Sequence, residues 1–164
     1  MVREIKLEEA EALLKMQCQL DQETKNMMYE VGERPTDINQ TREMLQQLKE
    51  QGSLMLIAEE NGKLVGFLSA ERGCYQRIRH TAYIVIGILQ EYRGKGLGTA
   101  LFKALDRWSL ENQIKRLELT VMCHNEAGLH LYQKNGFEVE GIKKKSMFVD
   151  GQYVDEYYMA RIIE

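Results

Sequence analysis

The stretch that decides the fold is Leu89-Gln90-Glu91-Tyr92-Arg93-Gly94-Lys95-Gly96-Leu97-Gly98-Thr99. It follows an apolar run (residues 82–89) typical of a buried strand, and it precedes residues 100–108, whose apolar positions have helical spacing. Glycine lets the backbone adopt positive φ and approach a ligand closely, and a helix start adds unpaired N–H groups and about half a positive charge. The stretch therefore predicts a phosphate-binding turn between a strand and a helix.

Two common phosphate-binding fingerprints do not fit this turn. The dinucleotide pattern needs glycine at its first, third and sixth positions, and the sixth position counted from Gly94 is Thr99. The P-loop pattern, with Gly-Lys-Ser/Thr after four spacer residues, occurs nowhere in the chain. Two interpretations remain: an Arg-x-x-Gly-x-Gly phosphate turn made of Arg93, Gly96 and Gly98, or a tight strand–helix connection without a ligand.

A second motif lies about 30 residues further on, from Val121 to Phe137. Asn125 is a good helix N-cap and Gly136 suits the position just past a helix end, so a helix of about ten residues is expected. Asn125 and Tyr132 are seven residues apart and fall on one face of that helix, where an amide and a phenol can reach one ligand. The alternative is an ordinary capped amphipathic helix with a core tyrosine.

Together the two motifs resemble the GNAT superfamily of acetyl-CoA-dependent N-acetyltransferases. The residues that carry the resemblance are Arg93, Gly96 and Gly98 in the turn, and Asn125, Ala127, Leu131, Tyr132, Lys134, Gly136 and Phe137 in the second motif. The resemblance implies that the turn binds the pyrophosphate of coenzyme A. It also implies that the fourth and fifth strands splay apart, and that the pantetheine arm pairs with the open edge of the fourth strand near Ile86, Ile88 and Leu89.

The resemblance also assigns roles to individual residues. Those expected to hold acetyl-CoA are Ile88, Leu89, Arg93, Gly94, Lys95, Gly96, Leu97, Gly98, Thr99, Asn125 and Lys134. Tyr132 is the expected general acid, because a phenol with a pKa of about 10 stays protonated at neutral pH and can donate to the leaving thiolate. Many relatives carry a glutamate in the fourth strand as base, but this chain has no carboxylate between Arg79 and Gln90. His80 is the nearest candidate base; a water relay or an amine that arrives neutral are the alternatives.

Composition limits the other function classes. The chain has 164 residues, 44% hydrophobic and 29% charged, with a formal net charge of −3. These values predict one globular domain over residues 1–164 and exclude a general attraction to nucleic acid or anionic membranes. The longest apolar run has about eight residues, against the roughly 20 that a bilayer requires. The three cysteines form no CxxC pair, and His124 and His130 share no helix face, so neither a disulfide framework nor a metal site is expected. The cytoplasm is the expected location.

The remaining pattern predicts elements in the order β-α-α-β-β-β-α-β-α-β-β. This is an α/β (α+β) fold, the GNAT fold, in which a mixed, mostly antiparallel sheet of about seven strands is flanked by about four helices. Asn61-Gly62 and Asp150-Gly151 each separate two strand-like runs and predict β-hairpins. Pro35 is predicted to begin the second helix, with Asp37 and Gln40 as a capping box.

The sequence defines the acceptor of the acetyl group less closely. The run from Met147 to Met159 resembles members that acetylate polyamines, small amino compounds or ribosomal-protein amino termini. A primary amine of a small molecule is our first hypothesis, and a protein α-amine is the first alternative. A non-catalytic module that senses acetyl-CoA is the second alternative. The resemblance further implies a homodimer.

Overall fold

The computed structural model describes residues 1–164. Its strands are β1 (Val2–Glu4), β2 (Leu54–Glu60), β3 (Lys63–Arg72), β4 (Thr81–Ile88), β5 (Arg116–Met122), β6 (Glu138–Val149) and β7 (Gln152–Ile162). Its α-helices are α1 (Ala10–Glu23), α2 (Ile38–Glu50), α3 (Leu97–Glu111) and α4 (Glu126–Lys134). All seven strands form one sheet in the order β1-β2-β3-β4-β5-β7-β6, and only β4 and β5 run parallel. The predicted fold class and element order are confirmed.

Both predicted hairpins form at the predicted residues. Asn61 and Gly62 have φ of 51° and 77°, and Asp150 and Gly151 have φ of 52° and 76°. Two consecutive positive φ values define the type I′ turn, whose twist matches that of the flanking strands. Local turn chemistry is therefore sufficient to place these two strand pairs.

The prediction for the start of α2 is wrong by three residues. The helix begins at Ile38, because Asp37 is extended (φ −76°, ψ 114°) and its carboxylate accepts a hydrogen bond from the amide of Asn39 at 2.8 Å. An N-cap aspartate ends the non-helical segment on its own, which leaves Pro35 outside the helix. Gln40 makes no reciprocal bond to Asp37, so there is no capping box.

Helices cover both faces of the sheet. A Cβ added at Gly87 would lie 2.8 Å from Leu20 of α1, whereas the next side chain along β4, Ile88, lies beside Gly98 of α3. Successive residues of a strand point to opposite faces, so α1 and α3 lie on opposite faces. The core on the two faces is mainly apolar, with Phe102 of α3 only 1% exposed. No helix is both long and apolar enough to cross a membrane.

The sheet opens between its two parallel strands. Pairing of β4 with β5 is confined to residues 81–83 and 116–118. Beyond Tyr83, β4 continues to Ile88 with β3 on one side only, while β5 stays paired with β7 along its whole length. The result is a V-shaped gap with a free backbone edge on β4, as the sequence resemblance implied.

Candidate active site

The turn between β4 and α3 presents a row of free backbone amides. Gly94 and Gly96 have φ of 73° and 80°, in the left-handed region that favours glycine. Gly96 is the N-cap of α3 and supplies no side-chain cap. The amides of Gly94, Lys95 and Gly96 donate to no group of the backbone, and the first amides of a helix have no intrahelical partner. Free N–H groups and the positive end of the helix dipole converge here, which suits an anionic ligand.

Arg93 joins this turn to the end of β4. Its Nε donates a hydrogen bond to the carbonyl oxygen of Ile88 at 2.9 Å. Its two terminal nitrogens make no hydrogen bond within the chain, and the residue is exposed. The side chain therefore holds the loop in place and still has a free planar fork to offer to a phosphate.

The free edge of β4 has its own hydrogen-bonding groups. The Leu89 amide donates to the Val65 carbonyl at 2.9 Å, so in this antiparallel ladder every second residue of β4 bonds to β3. Ile86 and Ile88 occupy the alternate positions on the side away from β3, and the Ile88 carbonyl already accepts the bond from Arg93. An extended ligand can pair with the free groups of this edge as an added strand.

Helix α4 begins with an asparagine cap at the mouth of the same gap. The Oδ1 atom of Asn125 accepts a hydrogen bond from the Gly128 amide at 3.0 Å. A Cβ at Gly128 would lie 2.5 Å from the Nδ2 atom of Asn125, so glycine is required for this close approach. The helix closes at Gly136, whose φ is 85°. Both capping predictions for α4 are confirmed.

Tyr132, in the last turn of α4, faces the gap. Its ring packs edge-on against Phe102 and Phe137, with centroids 6.3 Å and 6.0 Å away, and its hydroxyl has no hydrogen-bond partner in the chain. Burial, with a smaller contribution from Tyr83, raises the pKa of the Tyr132 phenol well above its usual value. The phenol is therefore a protonated donor throughout the physiological pH range.

Two cavities meet at this tyrosine. The glycine-loop cavity, of about 410 Å³, lies between the turn, the edge of β4 and the start of α4. The sheet-face cavity, of about 440 Å³, lies over β3, β4, β5 and β7 under the segment between α1 and α2. The residues that line both are Asn26, Met27, Ile86, Asn125 and Tyr132. A group carried through the first cavity can thus reach a molecule held in the second at Tyr132.

The model of the acetyltransferase (GNAT) family matches residues 16–137, which include the glycine turn, the free edge of β4 and Tyr132. The chain belongs to the GNAT acetyltransferase family. Its relatives are named N-acetyltransferases, which makes this GNAT member an acyltransferase that depends on acetyl-CoA.

Two curated relatives illustrate the match. The chain is 35% identical over 115 residues to the L-amino acid N-acetyltransferase AaaT of Escherichia coli K12, across 68% of this chain and 69% of that enzyme. It is 32% identical over 107 residues to the spermidine N(1)-acetyltransferase of the same organism. That second match spans 65% of this chain but only 56% of the relative.

Solved structures extend the likeness to the full chain. The acetyltransferase of the GNAT family from Streptococcus pneumoniae is 27% identical, with a TM-score of 0.95 over 100% of this chain and 99% of that one. The yncA acetyltransferase from Salmonella typhimurium, solved with its cofactor acetyl-CoA, is 19% identical, with a TM-score of 0.89 over 100% and 94% of the two chains. The fold is therefore the GNAT fold from end to end.

The residues present fit acetyl-CoA. Free amides and Arg93 suit the pyrophosphate, and the edge groups of Ile86 and Ile88 suit the pantetheine amides. The predicted cofactor residues that line the glycine-loop cavity are Ile88, Arg93, Gly94, Gly96, Leu97, Gly98, Thr99, Asn125 and Lys134.

Three predicted site residues lie outside both cavities. Leu89 is fully buried in the core, and its amide is taken by Val65. Lys95 turns toward the ring of Tyr92, with its Nζ atom 4.9 Å from the ring centroid. His80 is exposed before the start of β4, where its carbonyl accepts bonds from the amides of Lys115 and Arg116. The structure therefore does not bring His80 to Tyr132, and no histidine lines either cavity.

The sheet-face cavity contains acidic residues that sequence reasoning did not select. Its charged lining residues are Arg34, Glu71 and Glu156. Glu156 is only 8% exposed and makes no hydrogen bond or ion pair. A sequence signal existed, since alternation along β7 puts Glu156 on one face with Val154 and Tyr158, but which face borders a cavity depends on the sheet order.

The segment between α1 and α2, which roofs this cavity, is fixed by an ion pair. Arg34 donates from Nε and Nη2 to the two carboxylate oxygens of Asp21 at 2.7 Å and 3.0 Å, and the Asp21 side chain is 3% exposed. The Arg34 guanidinium also lies 4.6 Å from the ring centroid of Tyr29. This ion pair holds the segment between α1 and α2 against α1, and the Asp21 carboxylate balances the positive charge of Arg34.

Proposed function

We propose that this GNAT family member transfers the acetyl group of acetyl-CoA to a primary amine of a small molecule, by direct attack of the amine on the thioester. The observation that carries the proposal is the junction of the two cavities at Tyr132. One cavity has the polar groups that coenzyme A requires, and the other is large enough for a small acceptor. When acetyl-CoA and the amine are held on either side of Tyr132, they react within one complex and do not have to meet in solution.

Acetyl-CoA supplies an activated carbonyl and a thiol leaving group. The acceptor nitrogen forms the new C–N bond and loses a proton, while the C–S bond breaks and its electron pair stays on sulfur. Tyr132 donates the proton that sulfur needs, because its raised pKa keeps the phenol protonated. Ile86 lies on the free edge of β4 and lines both cavities. Its backbone amide is the donor that stabilises the oxyanion.

A small acceptor fits the walls of the sheet-face cavity better than a peptide. Lys25, just after α1, bridges to both carboxylate oxygens of Asp150 at the tip of the β6–β7 hairpin, at 2.9 Å and 2.8 Å. Neither residue lines the cavity, but the contact links the segments that carry the lining residues Asn26 and Met147, whereas a peptide amino terminus requires an open groove. The pair is exposed and contributes little to stability, so its importance lies in the position of the walls.

Three routes can remove the proton from the acceptor amine. His80 is one prediction from the sequence, and its position before β4 favours the two others, an ordered water or an amine that arrives neutral. Tyr83, whose hydroxyl lies 2.7 Å from the Oγ1 atom of Thr120 on the cavity floor, offers an anchor for such a water.

Calorimetric titration with acetyl-CoA tests the proposal, with NADH and ATP as controls. Selective binding of acetyl-CoA, followed by release of free thiol when small amines are added, is the expected result. Binding without thiol release for any amine or peptide would favour a sensing module instead. A homodimer, measured by sedimentation, and a cytoplasmic location remain predictions of the sequence.

A further inference from the structure

The acidic lining of the sheet-face cavity carries an inference about the acceptor that rests on the proposed function. We propose that Glu156 and Glu71 bind the ammonium groups that an acceptor keeps while another of its nitrogens attacks the thioester as the neutral amine, so that the substrate is an aliphatic diamine or polyamine without a carboxylate.

Glu156 is the first of the two carboxylates. It lies on β7 opposite Met122 of β5 and Lys143 of β6, and it is more than nine-tenths buried. The ammonium of Lys143 does not pair with it and lies 6.0 Å from the ring centroid of Tyr158. Glu156 makes no hydrogen bond or ion pair within the chain and lines the sheet-face cavity, so a cation bound in that cavity can pair with its carboxylate.

Glu71 is the second carboxylate, at the other side of the same cavity. It lies on β3 opposite Tyr83, is exposed, and makes no hydrogen bond or ion pair. Three strand spacings, together with four residues along β5, put the Cα atoms of Glu71 and Glu156 roughly 19 Å apart. At that separation the two carboxylates bind different ammonium groups.

Most of the cavity lining is apolar and adaptable, with 15 of its 25 residues hydrophobic. Six of the nine methionines line the cavity: Met27, Met28, Met44, Met55, Met122 and Met147. Unbranched thioether side chains fill irregular space and accommodate flexible ligands. Such a lining, with a carboxylate on each side, suits a flexible chain of methylene groups that carries more than one nitrogen.

A substrate carboxylate has no comparable partner. Arg34 is the single cationic residue of the cavity lining, and Asp21 already matches its charge. The carboxylate of an amino acid would instead face Glu71 and Glu156, and like charges raise the free energy of the complex.

Matched substrates test the inference on the wild-type enzyme. L-Ornithine and 1,4-diaminobutane differ only by the carboxylate, and butylamine lacks the second ammonium of the diamine. We expect kcat/KM, measured by thiol release, to be at least about tenfold higher for 1,4-diaminobutane or spermidine than for butylamine or L-ornithine. Preference for L-ornithine or for neutral L-amino acids would overturn the inference and leave the acetyltransferase function standing.

Two variants and a control locate the effect. Glu156→Gln and Glu71→Gln are expected to raise KM for the diamine about tenfold or more, with unchanged affinity for acetyl-CoA. Glu138→Gln, an exposed change on β6 outside both cavities, is the control. An unchanged KM in both cavity variants would overturn the inference, whereas failure of the wild type to bind acetyl-CoA would overturn the proposed function itself.

Discussion

Tyr132 on α4 packs edge-on against Phe102 on α3, with ring centroids 6.3 Å apart and ring planes at 85°. Phe102 is buried in the core, and α3 is the helix whose first turn presents the free amides. This contact, together with the packing of Phe137 on both rings, helps to hold the phenol in a fixed position relative to α3. Changes to either partner can be read separately as loss of binding or loss of chemistry.

Substituting Tyr132→Phe removes the hydroxyl and keeps the ring contacts. We expect kcat to fall by about tenfold or more while the dissociation constant for acetyl-CoA stays nearly unchanged. The raised pKa also means that ionisation of Tyr132 does not reduce activity below about pH 10. Thiol release and calorimetry measure the two effects, with the exposed Tyr75→Phe as the control. Unchanged turnover would remove Tyr132 from the mechanism.

Gly96→Ala tests the amide row. Its φ of 80° is strained for alanine, and Gly62 in the β2–β3 turn has nearly the same φ (77°) with nothing within 4 Å of an added Cβ at either position. Each substitution is expected to lower the free energy of unfolding by about 1–2 kcal/mol. Only Gly96→Ala should also weaken acetyl-CoA binding, because it alone disturbs the N-cap of α3. Equal affinities in the two variants would argue against a phosphate at the turn.

Arg93→Ala and Lys95→Ala compare how much the two cations of the turn contribute to acetyl-CoA binding. Loss of its charge-assisted bonds is expected to weaken acetyl-CoA binding by about 1–3 kcal/mol. Lys95→Ala should have a smaller effect, because Lys95 lies outside the cavity and over the Tyr92 ring. Isothermal titration of both variants at equal ionic strength decides the order, and a larger effect at Lys95 would contradict this assignment.

The acid stability of the fold depends in part on Glu9. Hydrogen bonds from Arg3 lower the pKa of this carboxyl to about 2 from 4.5. A depressed pKa stabilises the folded state above pH 4.5, and that contribution is lost as the pH falls toward 2. Because both side chains are partly exposed, Glu9→Gln should lower the free energy of unfolding by only about 1 kcal/mol at pH 7. Urea unfolding at pH 7 and near pH 2 measures this difference, which should vanish at the lower pH.

The ion pair under the cavity roof gives a larger effect. Asp21→Asn leaves the half-buried Arg34 charge without its counterion and is expected to cost about 3 kcal/mol of unfolding free energy. The double variant Asp21→Leu/Arg34→Met should be more stable than the single one, since no uncompensated charge remains. Denaturant titration of the wild type and the two variants tests this, and a double variant less stable than Asp21→Asn would contradict it.

Local signals explain why much of the fold could be predicted. The boundaries of α3 and α4 follow from Gly96, Asn125 and Gly136, and the hairpins follow from Asn61-Gly62 and Asp150-Gly151, all of them short-range preferences. The prediction that α2 begins at Pro35 failed because Asp37, two residues later, caps the helix. Neighbouring residues settle such questions without help from the rest of the chain.

Non-local pairing explains what could not be predicted. Whether Ile88 or Leu89 offers its amide to a ligand depends on which residues of β4 bond to β3. Glu156 reaches the cavity only because β7 lies between β5 and β6, an order that no local pattern specifies. The resemblance implied the splay of β4 and β5, but the position of His80 outside both cavities depends on the assembled sheet.

The position of β7 has a consequence for how the protein comes to fold. Strand β7 follows β5 and β6 in the chain, yet it lies between them and pairs with both. A nascent chain therefore exposes the edge of β5 until residues 152–162 have left the ribosome, and the sheet cannot close before then. Such late, long-range pairing slows folding and prolongs the exposure of aggregation-prone strand edges.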